Sequence, residues 1–199
     1  MNYLVHLSIS YPFPDYVPGN FIFDLLPRQN KNKPLAILQK GIQLHKQIDH
    51  YSNNHPSLQE INKSLHPFVH KYAPVASDII CDYLLYRLWV PNISTEFDEF
   101  ANWNYKILME CLDVFPEKLQ TSTRMMIEHK WLYQYTSING LLNVLTRMNS
   151  KLRFEGDLTK VLEPLSKNEK YYLELFQSFY TDLRELSNLW IIPQSEMKL

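Results

Sequence analysis

Glycine occupies only four of 199 positions, which leaves the chain few places for a left-handed backbone or a close main-chain approach. Two-residue hairpin turns and glycine-rich phosphate cradles depend on such positions, so a hairpin-rich β fold and a nucleotide loop are both disfavoured. Helical periodicity runs through the sequence instead. PLAILQKGIQLHKQIDHYS repeats Leu35, Leu38, Ile42 and Ile48, interrupted only by Gly41. PSLQEINKSLHPF opens on Pro56 and Ser57 and stripes Leu58, Ile61 and Leu65 along one face, with Pro67 expected to break or kink the helix. VASDIICDYLLYRLWV reads as a long apolar helix ending before Pro91, and TEFDEFANWNYKILMECLDVF as an amphipathic one with Thr95 as N-cap. PEKLQTSTRMMIEHKWLYQY and SINGLLNVLTRMNSKL add two more, and the stretch from Leu158 to Ile192 another, bent or split at Pro164. Tyr3, Val5, Leu7 and Ile9 alternate as in a strand, but a lone strand has no partner, so that segment is assigned as helical or irregular. The expectation is a single all-α domain over residues 1–199, folded as a helical bundle.

Hydrophobic residues make up 45% of the chain and charged residues 21%, enough apolar surface for a substantial core. No run approaches the roughly 18 apolar residues of a spanning helix, so no membrane segment is expected. The opening MNYLVHLSISYPFPD lacks a basic start and a small-residue cleavage site, and Cys81 and Cys111 lie far apart in helical segments. They read as buried thiols of a reducing compartment, which places the protein in the cytoplasm. A net charge of −1 gives no reason to expect nucleic acid as a partner. The charge is unevenly spread, however. Between Asp24 and Asp49 there is no acidic residue, while Arg28, Lys31, Lys33, Lys40 and Lys46 all fall there. Such a stretch is either a solvated face or a docking patch for something acidic.

Side chains four apart on a helix share a face, which sets His45 beside Asp49 and Asp78 beside Asp82. Two carboxylates on an apolar helix repel and resist burial unless a cation or base sits between them. On spacing alone, a water-facing polar seam and a metal site account for them equally well. Imidazole with several carboxylates suits Mn²⁺, Fe²⁺ or Zn²⁺, and the oxygen ligands lean towards Mn²⁺. His6 and Asp24 sit between apolar neighbours in LVHLS and FIFDLL. Taken singly, His6 reads as a satisfied core histidine and Asp24 as a cap or an ion-pair partner of Arg28. GxSxG, Walker, GxGxxG and HExxH patterns are absent from the sequence. The aromatic KYYLELFQSFYTDL reads as core.

MNYLVHL, GNFIFD, GIQLHKQID, APVASDIICDYLLYRLW, MMIEHKWLYQY and GLLNVLTRMNSK resemble, in order, segments of the acyl carrier protein phosphodiesterase family. The resemblance implies an all-helical relative of the HD-domain phosphohydrolases. It further implies Mn²⁺-dependent hydrolysis of the phosphodiester joining 4′-phosphopantetheine to a serine of holo-acyl carrier protein. Carried across, it points to Asp24, His45, Asp49 and Asp82 as metal ligands, with His6 as a further ligand. Asp49, Asp78 and Lys71 become the expected catalytic groups. The basic residues Arg28, Lys31, Lys33, Lys40 and Lys46 acquire acidic carrier protein as an expected partner. Where the family usually shows Asp-His, this chain has Asp82-Tyr83, and His70-Lys71 and Lys151 stand where it has arginines. A metal phosphohydrolase of another substrate, such as a nucleotide, or a silent carrier-protein-binding module are the other readings that this sequence admits.

Overall fold

The computed structural model describes residues 3–32 and 35–191. In chain order the α-helices are α1 (Tyr3–Ser10), α2 (Val17–Ile22), α3 (Arg28–Asn32), α4 (Ala36–Asn54), α5 (Pro56–Val69) and α6 (Ala73–Arg87). They continue with α7 (Trp89–Asn92), α8 (Phe97–Glu110), α9 (Glu117–Glu128), α10 (Ile138–Asn149), α11 (Leu162–Lys167) and α12 (Glu169–Ile191). Short 3₁₀ turns join several of them, and no strand occurs among the described residues, so the fold is all-α. The described residues group into two compact units.

The first unit comprises residues 3–5, 52–94 and 132–180. His55 caps α5, its ring Nδ1 accepting the Ser57 N–H at 3.2 Å. The stripe of Leu58, Ile61, Leu65 and Val69 is buried, and α5 packs along α6. Full burial of each such side chain is worth roughly 1.5–3 kcal/mol. The aromatic run of α12 closes this core through Tyr172, Phe176, Phe179 and Tyr180. Ser137 caps α10 by accepting the Gly140 N–H at 3.1 Å.

The second unit comprises the described residues among 6–51, 95–131 and 181–191. Its α2 packs on α8, where Phe100, Ala101 and Asn104 are buried. Gly19 of α2 and Gly41 of α4 meet main chain to main chain. A methyl group on Gly41 would run into the Tyr16 carbonyl and lie 2.5 Å from the Asn20 nitrogen. The glycine that interrupts the α4 pattern therefore marks a backbone contact, not a weak helix.

Several helix ends differ from those read in the sequence. The first segment is helix α1, and its alternation carries no strand signal because Leu4, Val5, His6, Leu7, Ile9 and Ser10 are all buried. Pro67 lies inside α5, which continues to Val69 and stops where His70 takes φ 49°. The long apolar helix breaks at Leu88, and Pro91 belongs to the short α7. Glu96, not Thr95, precedes α8, and the Thr95 hydroxyl bonds Glu99. The segment after α9 turns at Lys130 (φ 48°) into a 3₁₀ run over Trp131–Thr136. The C-terminal split falls at Asn168, while Pro164 sits in the first turn of α11, where proline is tolerated. Cys81 and Cys111 are both free thiols.

Candidate metal centre

Two helices and one 3₁₀ turn bring four chemistry-bearing side chains of the second unit together. Helix α1 supplies His6, the turn Phe23–Leu25 supplies Asp24, and α4 supplies His45 and, one turn on, Asp49. The Asp49 carboxylate lies between the imidazoles. Its Oδ1 is 3.4 Å from His6 Nε2 and its Oδ2 is 3.2 Å from His45 Nε2. Asp24 Oδ2 approaches His45 Nε2 from the solvent side at 3.5 Å. The two imidazoles are stacked at a centroid separation of 4.0 Å, and the Phe23 ring tilts against His45 at 4.9 Å.

The histidines are buried and held by their other nitrogen. His45 Nδ1 donates to the Asn20 main-chain carbonyl at 2.7 Å, and His6 Nδ1 meets Asn20 Oδ1 at 2.7 Å. The Asn20 amide nitrogen donates to the His6 carbonyl and to Ser10 Oγ, each at 2.8 Å, so its Oδ1 is fixed as the acceptor and His6 Nδ1 as the donor. Both Nε2 atoms are buried without a hydrogen-bond partner. Asn20 was not singled out in the sequence; its signal lay inside GNFIFD, as a polar residue that is buried beside apolar ones.

Burial, followed by the charge of His45, drives the His6 pKa down to about 4. Burial also works against charge on His45, but the Asp24 and Asp49 carboxylates outweigh it and raise its pKa to about 9. Burial pushes Asp49 up, yet the His45 and His6 imidazoles hold it well below the usual carboxylate range. His45 beside it likewise keeps Asp24 low. One imidazolium thus faces two carboxylates, and the cluster keeps a net negative charge.

These residues pass a test for a divalent metal. Ligand atoms of His6, His45 and Asp49 lie within 4.8 Å of one another. Atoms bound to one ion at roughly 2.1 Å are about 3.0–3.4 Å apart, close to the separations of 3.2–3.5 Å found between Nε2 and carboxylate oxygens. Buried rings that turn Nε2 towards a carboxylate and are each oriented through Nδ1 have the arrangement an imidazole ligand needs.

Other residues singled out in the sequence belong to the first unit. Asp82 belongs to the first unit, and its fully buried carboxylate accepts the Leu4 N–H at 2.9 Å and the Val5 N–H at 3.0 Å. Its two oxygens receive the open end of α1, which explains a buried acid without a metal. Burial raises its pKa to about 7 against the pull of those two N–H groups. Asp78, half-buried one turn earlier, and Lys71 also belong to the first unit. The Lys71 ammonium lies 3.5 Å from the Phe154 ring centroid, beside a cleft of about 490 Å³ lined by His70, Tyr72 and Lys160. Tyr83 donates to Glu169 Oε1 at 2.8 Å, and Arg87 Nε meets the same oxygen at 3.1 Å.

Of the basic residues, Lys31 pairs with Asp24 at 3.8 Å and lies over the Phe23 ring, as does Lys46 at 5.3 Å. Asp24 therefore faces Lys31 and His45, and no ion pair with Arg28 forms. Lys40 pairs with Asp15 at 3.0 Å, Arg28 is exposed, and Lys33 lies outside the described residues.

The sequence model of the acyl carrier protein phosphodiesterase family matches residues 1–183. The chain is 24% identical over 152 residues to an acyl carrier protein phosphodiesterase of Klebsiella pneumoniae subsp. pneumoniae, covering 76% of this chain and 79% of that protein. It is 26% identical over 153 residues to a protein of that name in Shigella boydii serotype 18, and 25% over 153 residues to one in Escherichia coli O139:H28, with the same coverage. No solved structure matches the chain.

Proposed function

The chain belongs to the acyl carrier protein phosphodiesterase family, and on that premise we propose that it hydrolyses the phosphodiester between 4′-phosphopantetheine and a serine of holo-acyl carrier protein, releasing the apo form. The observation that carries this reading is the pair of buried Nε2 atoms of His6 and His45 converging on the Asp49 carboxylate. His6, His45 and Asp49 would hold a divalent metal, Mn²⁺ by preference, which would supply charge stabilisation at a phosphoryl oxygen and lower the pKa of a water. Asp49 orients the centre by facing both imidazoles. Asp24 is 58% exposed, against 32% for Asp49, so the site opens on the Asp24 side. Ionised beside His45, Asp24 is placed to take up the proton that an attacking water loses. Lys31 and Lys46 over the Phe23 ring put positive charge on that same rim, where an anionic diester must arrive. Arg28, Lys31, Lys40 and Lys46 then steer and orient the acidic carrier protein.

The test is incubation with holo-acyl carrier protein and Mn²⁺, followed by intact-mass measurement. The carrier is expected to lose its prosthetic group with the wild-type protein and to keep it with Asp49→Ala. An unchanged carrier mass with the metal-loaded wild type would remove the proposed reaction, and full activity in Asp49→Ala would remove the proposed centre.

A further inference from the structure

We infer that Asn20 is a positioning residue that selects the metal-competent tautomer of His6, an inference that rests on the metal-centre reading above. A neutral imidazole carries one N–H, and only its bare nitrogen can bind a metal. At His6 two acceptors compete for that hydrogen. Asn20 Oδ1 stands 2.7 Å from Nδ1, and Asp49 Oδ1 stands 3.4 Å from Nε2. Left to Asp49 alone, the proton would sit on Nε2 and block the position that faces the cluster. The Asn20 oxygen draws it to Nδ1. It can do so because the amide cannot turn over: its nitrogen donates to the His6 carbonyl and Ser10 Oγ, both fixed on α1. Asn20 also touches His45, but through its main-chain carbonyl, which every residue at this position would supply. Of the two imidazoles, its side chain therefore acts on His6 alone, and that selectivity separates positioning from general packing.

A double-mutant cycle read in Mn²⁺ affinity, with free Mn²⁺ followed by electron paramagnetic resonance, tests this. Asn20→Ala is expected to weaken binding about 10- to 100-fold, as loss of a partner that orients a ligand does. His6→Ala is expected to weaken it at least as much. The double variant should bind like His6→Ala, because without His6 the Asn20 side chain has nothing left to orient. Costs that multiply in the double variant, or wild-type affinity in Asn20→Ala, overturn the inference. Long-range ¹H–¹⁵N spectra of the protein without metal give a readout independent of binding. His6 should carry its proton on Nδ1 in the wild type and on Nε2 in Asn20→Ala, and an unchanged tautomer overturns the assignment. If the wild type takes up no Mn²⁺, the metal-centre reading fails while these spectra still decide the role of Asn20. If Asn20→Ala loses its helical circular dichroism, Ser10→Ala carries the test. It frees one side of the amide and should weaken Mn²⁺ about threefold; unaltered affinity there counts against the inference.

Discussion

The imidazole rings of His6 and His45 lie face to face, 4.0 Å between centroids and 13° from parallel. Stacked this closely, they cannot both be charged. The carboxylates of Asp24 and Asp49 settle which one is: His45 keeps its proton to about pH 9, and His6 gives its own up at about 4.

A metal at this centre therefore displaces one proton, from His45. Across pH 6.5–8.5 the apparent affinity for Mn²⁺ should rise about tenfold per pH unit, because that range lies below the raised His45 pKa and above the lowered His6 pKa. Two ordinary histidines would give a curve that flattens just above their usual pKa of about 6.5. Titrations at several pH values distinguish the two, and an early plateau would show that the carboxylates do not hold His45 charged.

Gly41→Ala should cost stability and metal affinity together. The added methyl group meets the Tyr16 carbonyl and the Asn20 nitrogen, neither of which can swing away, so α2 and α4 must separate. A loss of about 2–4 kcal/mol is expected, with weaker Mn²⁺ binding, because these helices carry Asn20 and His45. Gly140→Ala meets comparable backbone, at Gln134 in the first unit. It should lower the unfolding midpoint and leave the affinity of the folded protein unchanged. Equal effects of both variants on affinity would contradict the placement of the centre.

Asp82→Ala should behave as a broken cap. With two N–H groups of α1 left in a buried setting, unfolding in urea should become easier by about 3 kcal/mol. Metal stoichiometry, measured on the folded protein, should stay at the wild-type value. Loss of the metal would restore Asp82 to the ligand set.

Tyr83→Phe removes one hydrogen bond to Glu169, and Arg87 remains to hold that carboxylate. A stability loss of about 1 kcal/mol is expected, with the rate of prosthetic-group release unchanged. A large fall in kcat would show that the tyrosine takes part in the reaction.

Charge reversal of Arg28 and Lys46 should raise KM for carrier protein about tenfold at low salt and change kcat little, with the difference shrinking as salt is added. These two are the informative choices, since Lys31 and Lys40 already face Asp24 and Asp15. A KM insensitive to both reversal and salt would place the docking surface elsewhere.

Much of the helical layout was legible because the apolar period of α4, α5 and α10 reports one buried face against one wet one. That signal fades where a helix is enclosed, which is why α1 imitates a strand and why the break at Leu88 inside an apolar run left no trace. The His45–Asp49 pair was legible because both lie on one helix at i and i+4. Spacing within a helix cannot show that His6 and Asp24 join them, since that depends on how α1 and the Phe23–Leu25 turn pack. Equal spacing at Asp78 and Asp82 looked like the same signal. The difference is what surrounds the carboxylate: the Nε2 atoms of two buried imidazoles around Asp49, and the N–H groups of a helix end around Asp82. The role of Asn20 depends on a main-chain oxygen and a side-chain oxygen of one residue, and no pattern of residue types encodes the first of these.

The contact between Gly19 and Gly41 is made by main chain alone. It specifies where α2 and α4 cross without using the identity of any neighbouring side chain. Residues around that crossing can be exchanged for others of similar bulk while Asn20 and His45 keep their places, so the centre tolerates extensive drift in the sequence that encloses it, provided these two positions stay without a side chain.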